Sequence, residues 1–107
     1  MKRTILLAAA LLCSTSAWAV SIEGDDAFAC YDLSYQRRID TVAGSGDKEA
    51  VVKLVQLGLD TRKCAALPAG LKVRIEENSF PYACVAKLGN TGPCLWVRQR
   101  NVNVKGG

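Results

Sequence analysis

The sequence predicts an α+β fold in a single small domain, with helices first and a little antiparallel sheet of three to four strands after them. Three observations carry the prediction. Apolar residues recur at helical spacing from Phe28 to Val42 and again from Val51 to Leu59. From Leu71 to Glu76 the pattern changes to strict alternation of apolar and charged residues. Four of the five cysteines are scattered through these segments, at positions where they can tie them together.

The first nineteen residues read as an address. Lys2 and Arg3 give a positive start, Ile5 to Cys13 is an unbroken apolar run, and Ala17-Trp18-Ala19 places small residues at the two positions a signal peptidase reads. The run is too short to span a bilayer, which takes about 20 apolar residues. Leu12 stands where a lipoprotein signal has Gly, Ala or Ser, so Cys13 is not read as a lipid anchor. Cleavage after Ala19 leaves residues 20–107 as one mature domain, with a helical part at about 25–59 and a sheet part at about 64–104. It also lowers the formal net charge from +4 to +2 and leaves four cysteines. No stable membrane insertion is expected after cleavage, and the compartment is periplasmic or extracellular.

Asp25 is placed to cap a first helix, with Asp26 favourable to its dipole. Phe28, Tyr31, Tyr35, Ile39 and Val42 would form its buried stripe. Cys30 lies off that stripe, which requires cover on two sides or an irregular first turn. Ala43-Gly44-Ser45-Gly46 breaks the pattern, and Asp47 caps a second helix, Lys48 to Leu57, that Gly58 would end in a left-handed conformation. Its packing face is Val51, Leu54, Val55 and Gly58, widened by Val52 and Leu59. The short Gly-Ser link makes the pair a helical hairpin.

Pro68-Ala69-Gly70 turns the chain into a strand from Leu71 to Glu76 with one wet face. Glu77-Asn78-Ser79 is read as the next turn. Tyr82 to Leu88 and Cys94 to Arg100 are two further strands about the turn Gly89 to Pro93, and Asn101 to Val104 adds a short edge strand.

An even number of cysteines in a small exported chain is a disulfide framework. Cys84 and Cys94 would face one another on antiparallel strands folded about Gly89, and Cys30 and Cys64 then pair by elimination. That second bond would tie the helical hairpin to the sheet. On the chain-entropy model the two bonds contribute roughly 2.8 and roughly 3.8 kcal/mol, and a domain this small is marginal without such help.

From Cys64 onward the chain resembles small exported bacterial SH3-like modules. The residues that carry the likeness are a Leu67-x-x-Gly70-x-x-Val73 start, the middle strand at Ala83-Cys84-Val85, and a last strand bearing Trp96 in Cys94-Leu95-Trp96-Val97. Upstream, Ala29-Cys30 and Gly46-Asp47-Lys48-Glu49-Ala50 resemble small periplasmic proteins of unknown function that set a helical pair before such a sheet. The resemblance implies a fold rather than an activity. Binding to cell-wall peptides is common among such modules.

The chain has no histidine. That removes the commonest general base and the commonest metal ligand, and with them Ser-His-Asp and Cys-His catalysis by the isolated chain. Asp25-Asp26 and Glu76-Glu77 are adjacent in sequence and do not converge on one substrate atom. No catalytic residue, metal site or cofactor is assigned, and a net charge this small gives no reason to expect nucleic acid. The candidate binding surface is Lys72 and Arg74 on one wet strand face, with Trp96, Arg98 and Arg100 on another, a combination that serves stacking and charge recognition of an extended or anionic partner. The expected function is that of a non-enzymatic, disulfide-braced binding or accessory protein with a protein or cell-wall ligand. An envelope-acting toxin or immunity-type protein, carried with a plasmid conjugation system, is the alternative.

Overall fold

The computed structural model describes residues 18–106. Of the expected leader, residues 1–17 lie outside the described residues, Ala17 included. Ala19 falls inside the first strand. The described residues form β1 (Trp18–Ile22), β2 (Phe28–Cys30), α1 (Leu33–Gly44), α2 (Lys48–Asp60), β3 (Cys64–Ala66), β4 (Val73–Ser79), β5 (Tyr82–Lys87), β6 (Leu95–Arg98), a 3-10 turn (Gln99–Asn101) and β7 (Val102–Gly106). The α+β class stands. The sheet is larger than the sequence suggests: five antiparallel strands in the order β3-β2-β6-β5-β4, beside a two-stranded ribbon of β1 and β7.

The first helix begins later than its apolar spacing predicts. Phe28, Ala29 and Cys30 are extended and pair with Ala66, Ala65 and Cys64, so the Phe28 to Val42 periodicity runs across a strand and a helix. Asp32, not Asp25, is the cap. Its Oδ1 accepts from the Ser34 backbone N–H at 3.0 Å and from the Ser34 hydroxyl at 2.9 Å. The awkward position of Cys30 disappears, because it never belonged to the helix. Asp47 caps α2 as expected, accepting from the Ala50 N–H at 3.1 Å, and Gly46 takes the left-handed conformation between the helices (φ +85°).

Gly58 does not stop α2. It is helical and buried, and the helix continues to Asp60. The left-handed residue is Arg62 (φ +60°), with Lys63 N–H bonded back to the Gly58 carbonyl at 2.9 Å. A Cβ on Gly58 would stand 2.8 Å from Cys64 Sγ and 3.2 Å from the Tyr35 ring. Glycine is there because α2 lies directly on the Cys30–Cys64 disulfide.

Two apolar clusters hold the layers together. One lies between the sheet and the ribbon, with Ile22, Val73, Val85, Leu95 and Val97 at its centre. The other lies between the helices and the β2/β3 end of the sheet. There Cys30, Cys64 and Ile39 are packed by Phe28, Tyr35, Val51, Leu54 and Val55. Tyr35 also donates its hydroxyl to the Leu54 carbonyl at 2.6 Å, joining α1 to α2. Val52 and Leu59 do not widen this face; they are exposed.

The alternation at Leu71 to Glu76 is realised, with Val73 buried, Leu71 and Ile75 half-buried, and Lys72, Arg74 and Glu76 exposed. Glu77 to Ser79 are not a turn. A bulge between Ile75 and Glu77 resets the pairing, β4 continues to Ser79, and the chain reverses at Phe80-Pro81. The β5–β6 register sets Cys84 opposite Trp96, so Cys94 lies two residues short of the position facing Cys84 and precedes β6. The expected fold about Gly89 is displaced by one residue, because the loop to Pro93 is longer than a minimal turn.

Cys30 is bonded to Cys64 and Cys84 to Cys94. The first bond joins two neighbouring strands of one sheet rather than a helix to the sheet. Val102 to Gly106 is not an edge of that sheet; it pairs with Trp18 to Ile22, a strand the sequence reading missed. If the chain is cut after Ala19, Val20, Ser21 and Ile22 remain paired with Val104, Asn103 and Val102.

Candidate functional site

The sheet does not gather the five residues of the expected surface at one place. Lys72 and Arg74 line a groove along β4 with Val20, Ile75, Leu88 and Val104. Arg74 is already engaged there, donating to Glu76 at 2.7 Å and to the Asn90 carbonyl at 3.0 Å. Trp96 is half-buried, in a transverse row between Cys84 on β5 and Cys30 on β2. It is a bracing side chain more than an open platform. Arg98 and Arg100 line a second groove of about 430 Å³ with Phe80, Pro81, Tyr82, Gln99 and Asp40.

This second groove is built by the β4–β5 turn on one side and the end of β6 on the other. Two locks fix it. Gln99 N–H bonds the Pro81 carbonyl at 2.8 Å, and Gln99 Nε2 reaches both Asn78 Oδ1 and the Tyr82 carbonyl at 3.2 Å. These bonds pin the Phe80-Pro81 turn to the 3-10 turn. The second lock is Asp40 on α1. One carboxylate oxygen accepts from the Tyr82 hydroxyl at 2.6 Å. The other accepts from Arg98 Nε at 3.0 Å and from Arg98 Nη2.

The electrostatics of this trio are those of a clasp. Burial, then the hydrogen bond and charge of Asp40, push Tyr82 up to about 12, with Arg98 and Arg37 opposing the rise. The phenol therefore keeps its proton at neutral pH. The hydrogen bond that Arg98 donates to Asp40 raises Arg98 further above its ordinary value, against a smaller opposing effect of burial. Both Asp40 oxygens accept hydrogen bonds from the sheet. The trio fixes α1 to β5 and β6 and holds the Arg98 fork in one orientation.

What faces outward differs in kind. Phe80 is 85% exposed, the most exposed large apolar side chain among the described residues. The Arg100 side chain is 62% exposed, and its side-chain contact among the described residues is a long 3.5 Å approach to Asp26. An aromatic ring and a largely exposed guanidinium thus line a mainly apolar trough. The sequence reading found the arginines but not Phe80. A lone aromatic between Ser79 and Pro81 has no periodicity to mark it, and its importance depends on where the turn falls.

A smaller cavity of about 130 Å³ lies between the helices and the sheet, lined by Gln36, Asp26, Asp40 and Asn101 among others. Gln36 is 2% exposed, and its Oε1 has no partner among the described residues. Asn101 Nδ2 donates to the Glu23 carbonyl at 3.0 Å and to Asp26 at 3.2 Å. It anchors the loop that leads from β1 to β2. Among the described residues no cluster of His, Cys, Asp and Glu is suited to a metal ion, and no helix is long and apolar enough to cross a membrane. No protein-family model, no curated protein and no solved structure is significantly similar to this chain.

Proposed function

We propose that this protein is a non-enzymatic, exported binding or accessory module that engages an envelope partner through the groove between Phe80 and Arg100. The single observation that carries the reading is the pre-organisation of that groove. Its walls are fixed by the Gln99 bonds and the Asp40 clasp before anything binds, while its two recognition groups are left exposed. Fixing a site in advance lowers the ordering cost of binding. Two disulfides in a chain this size fit an oxidising compartment, periplasmic or extracellular, and an expected signal at 1–19 fits the same address.

The SH3-like reading belongs with this proposal. It is supported by the bridge between Ser21 and Lys72, which joins the ribbon to the sheet and sets a run β7-β1-β4-β5-β6 that continues to β2 and β3. The helical hairpin is supported by the Tyr35–Leu54 bond and the three-residue link from Ser45 to Asp47. On this reading the two helices are an insertion between β2 and β3 that braces the groove from behind.

The test is a photoreactive side chain placed at position 80 of the exported protein, with the same group at Leu57 on the far helix as control. One stoichiometric adduct from position 80, absent from position 57, supports the reading. Identical adduct patterns from both positions would remove it.

A further inference from the structure

We infer that the occupant of the Phe80–Arg100 groove is an extended acidic segment of a protein, with a carboxylate on the arginine side and an apolar side chain against Phe80. The inference rests on the binding-module reading and adds the chemical class of the partner. The lining carries a net positive charge, Arg98 and Arg100 against Asp40, and outside the lining Arg100 makes only a long 3.5 Å approach to Asp26. Asp40 is the acidic residue lining it, and that carboxylate is neutralised by Arg98. Arg98 uses Nε and Nη2 on Asp40, which leaves Nη1 of the same fork without a partner among the described residues. Arg100 is mostly exposed, and Arg37 on α1 stands within electrostatic reach of Tyr82 at the trough wall. A carboxylate entering between Arg98 and Arg100 meets one guanidinium already oriented by the fold and a second that is mostly exposed.

The apolar half sets the spacing. Phe80 and Pro81 offer a hydrophobic surface beside the guanidinium groups. A partner needs acidic and apolar side chains on one extended stretch, which a peptide supplies at alternate positions. A lipid headgroup would satisfy the charges but leave Phe80 without a matched side chain, and a nucleic acid would need a broader basic surface than this.

The experiment uses the disulfide-intact chain from Val20 onward and three fluorescent nine-residue peptides, alternating Glu–Leu, Gln–Leu and Lys–Leu, read by anisotropy. The Glu–Leu peptide should bind at least about tenfold more tightly than the other two, and about fivefold more weakly at 300 mM than at 50 mM salt. Arg100→Glu should abolish the preference, and Phe80→Ser should weaken binding about tenfold. Both residues are exposed, so unchanged melting temperatures confirm that the variants are folded. Equal binding of the Glu–Leu and Gln–Leu peptides, still lost in Phe80→Ser, overturns the acidic partner and leaves the groove reading intact. Binding that ignores Phe80→Ser overturns both. If none of the three peptides binds, the acidic segment is excluded, and sedimentation of the chain with purified cell wall, with and without Phe80→Ser, decides the fate of the groove.

Discussion

Replacing Gly58 by alanine sets two opposed effects against each other. In an exposed helix the change is favourable by about 1 kcal/mol, because glycine loses more backbone freedom on folding. Here the new methyl would stand 2.8 Å from Cys64 Sγ and 3.2 Å from both Cys64 Cβ and the Tyr35 ring. The sulfur cannot swing aside. It is bonded to Cys30, and both cysteines are buried between the sheet and α2. Helix and sheet must part by several tenths of an ångström, and overpacking of this kind costs about 1–3 kcal/mol. The net expectation is a loss of up to about 2 kcal/mol, or as much as roughly 16 °C in melting temperature for a domain of this size. The assay is urea and thermal unfolding under non-reducing conditions, with Gly44→Ala alongside. A Cβ at Gly44, the last residue of α1, meets nothing within 4 Å. That variant should gain a few tenths of a kcal/mol. If Gly58→Ala instead gains the roughly 1 kcal/mol of an uncrowded helix site, the claim that glycine is dictated by the disulfide beneath it is wrong.

Asp32→Ala should cost about 0.5–2 kcal/mol through loss of the α1 cap, while Asp25→Ala, at the exposed position the sequence alone would choose, should be close to neutral in the same unfolding assay. Tyr82, held up to about 12 in the fold against an ordinary 10, contributes stability that is fully present below pH 10 and is lost as pH rises from 10 towards 12. Denaturation midpoints across that range should fall, and Asp40→Asn should lower the Tyr82 midpoint in an ultraviolet titration; a midpoint unchanged by Asp40→Asn would dissolve the clasp. Cys94 is half-buried whereas Cys30 and Cys64 are both buried, so mild reductant should open Cys84–Cys94 first, as peptide mapping of alkylated thiols would show. Removing the Cys30–Cys64 pair should cost about 4 kcal/mol against about 3 for the other.

Features set by a local rule could be read from the chain. The break at Ala43 to Gly46, the Asp47 cap and the alternation from Leu71 to Glu76 depend on neighbours a few residues away. The pairing of Cys84 with Cys94 followed from the turn between them. What could not be read depends on contacts distant in sequence. β2 is three residues long, too short to show a period, and it exists because Cys64 to Ala66 offers an edge to pair with. β1 sits where an address signal dominates the pattern, and its partner lies more than eighty residues away. Gly58 is legible as part of the packing face of α2, but it does not end the helix, and the sulfur it accommodates is brought to it only by the fold. At the groove, Arg98 and Arg100 were legible as alternate strand residues. Lys72 and Arg74 were assigned to the same surface, but the register sends them to the β4 groove. Phe80 became visible only once the reversal moved from Glu77–Ser79 to Phe80-Pro81.

The bond from Cys30 to Cys64 encloses both helices in a covalent ring. Everything from Tyr31 to Lys63 hangs off the sheet as a closed loop, so tension applied at the chain ends bypasses it. A molecule pulled by its termini would come up short by roughly 120 Å of contour, at about 3.5 Å per residue for the 34 positions the bond spans. The same ring would let α1 and α2 melt and re-form without parting β2 from β3.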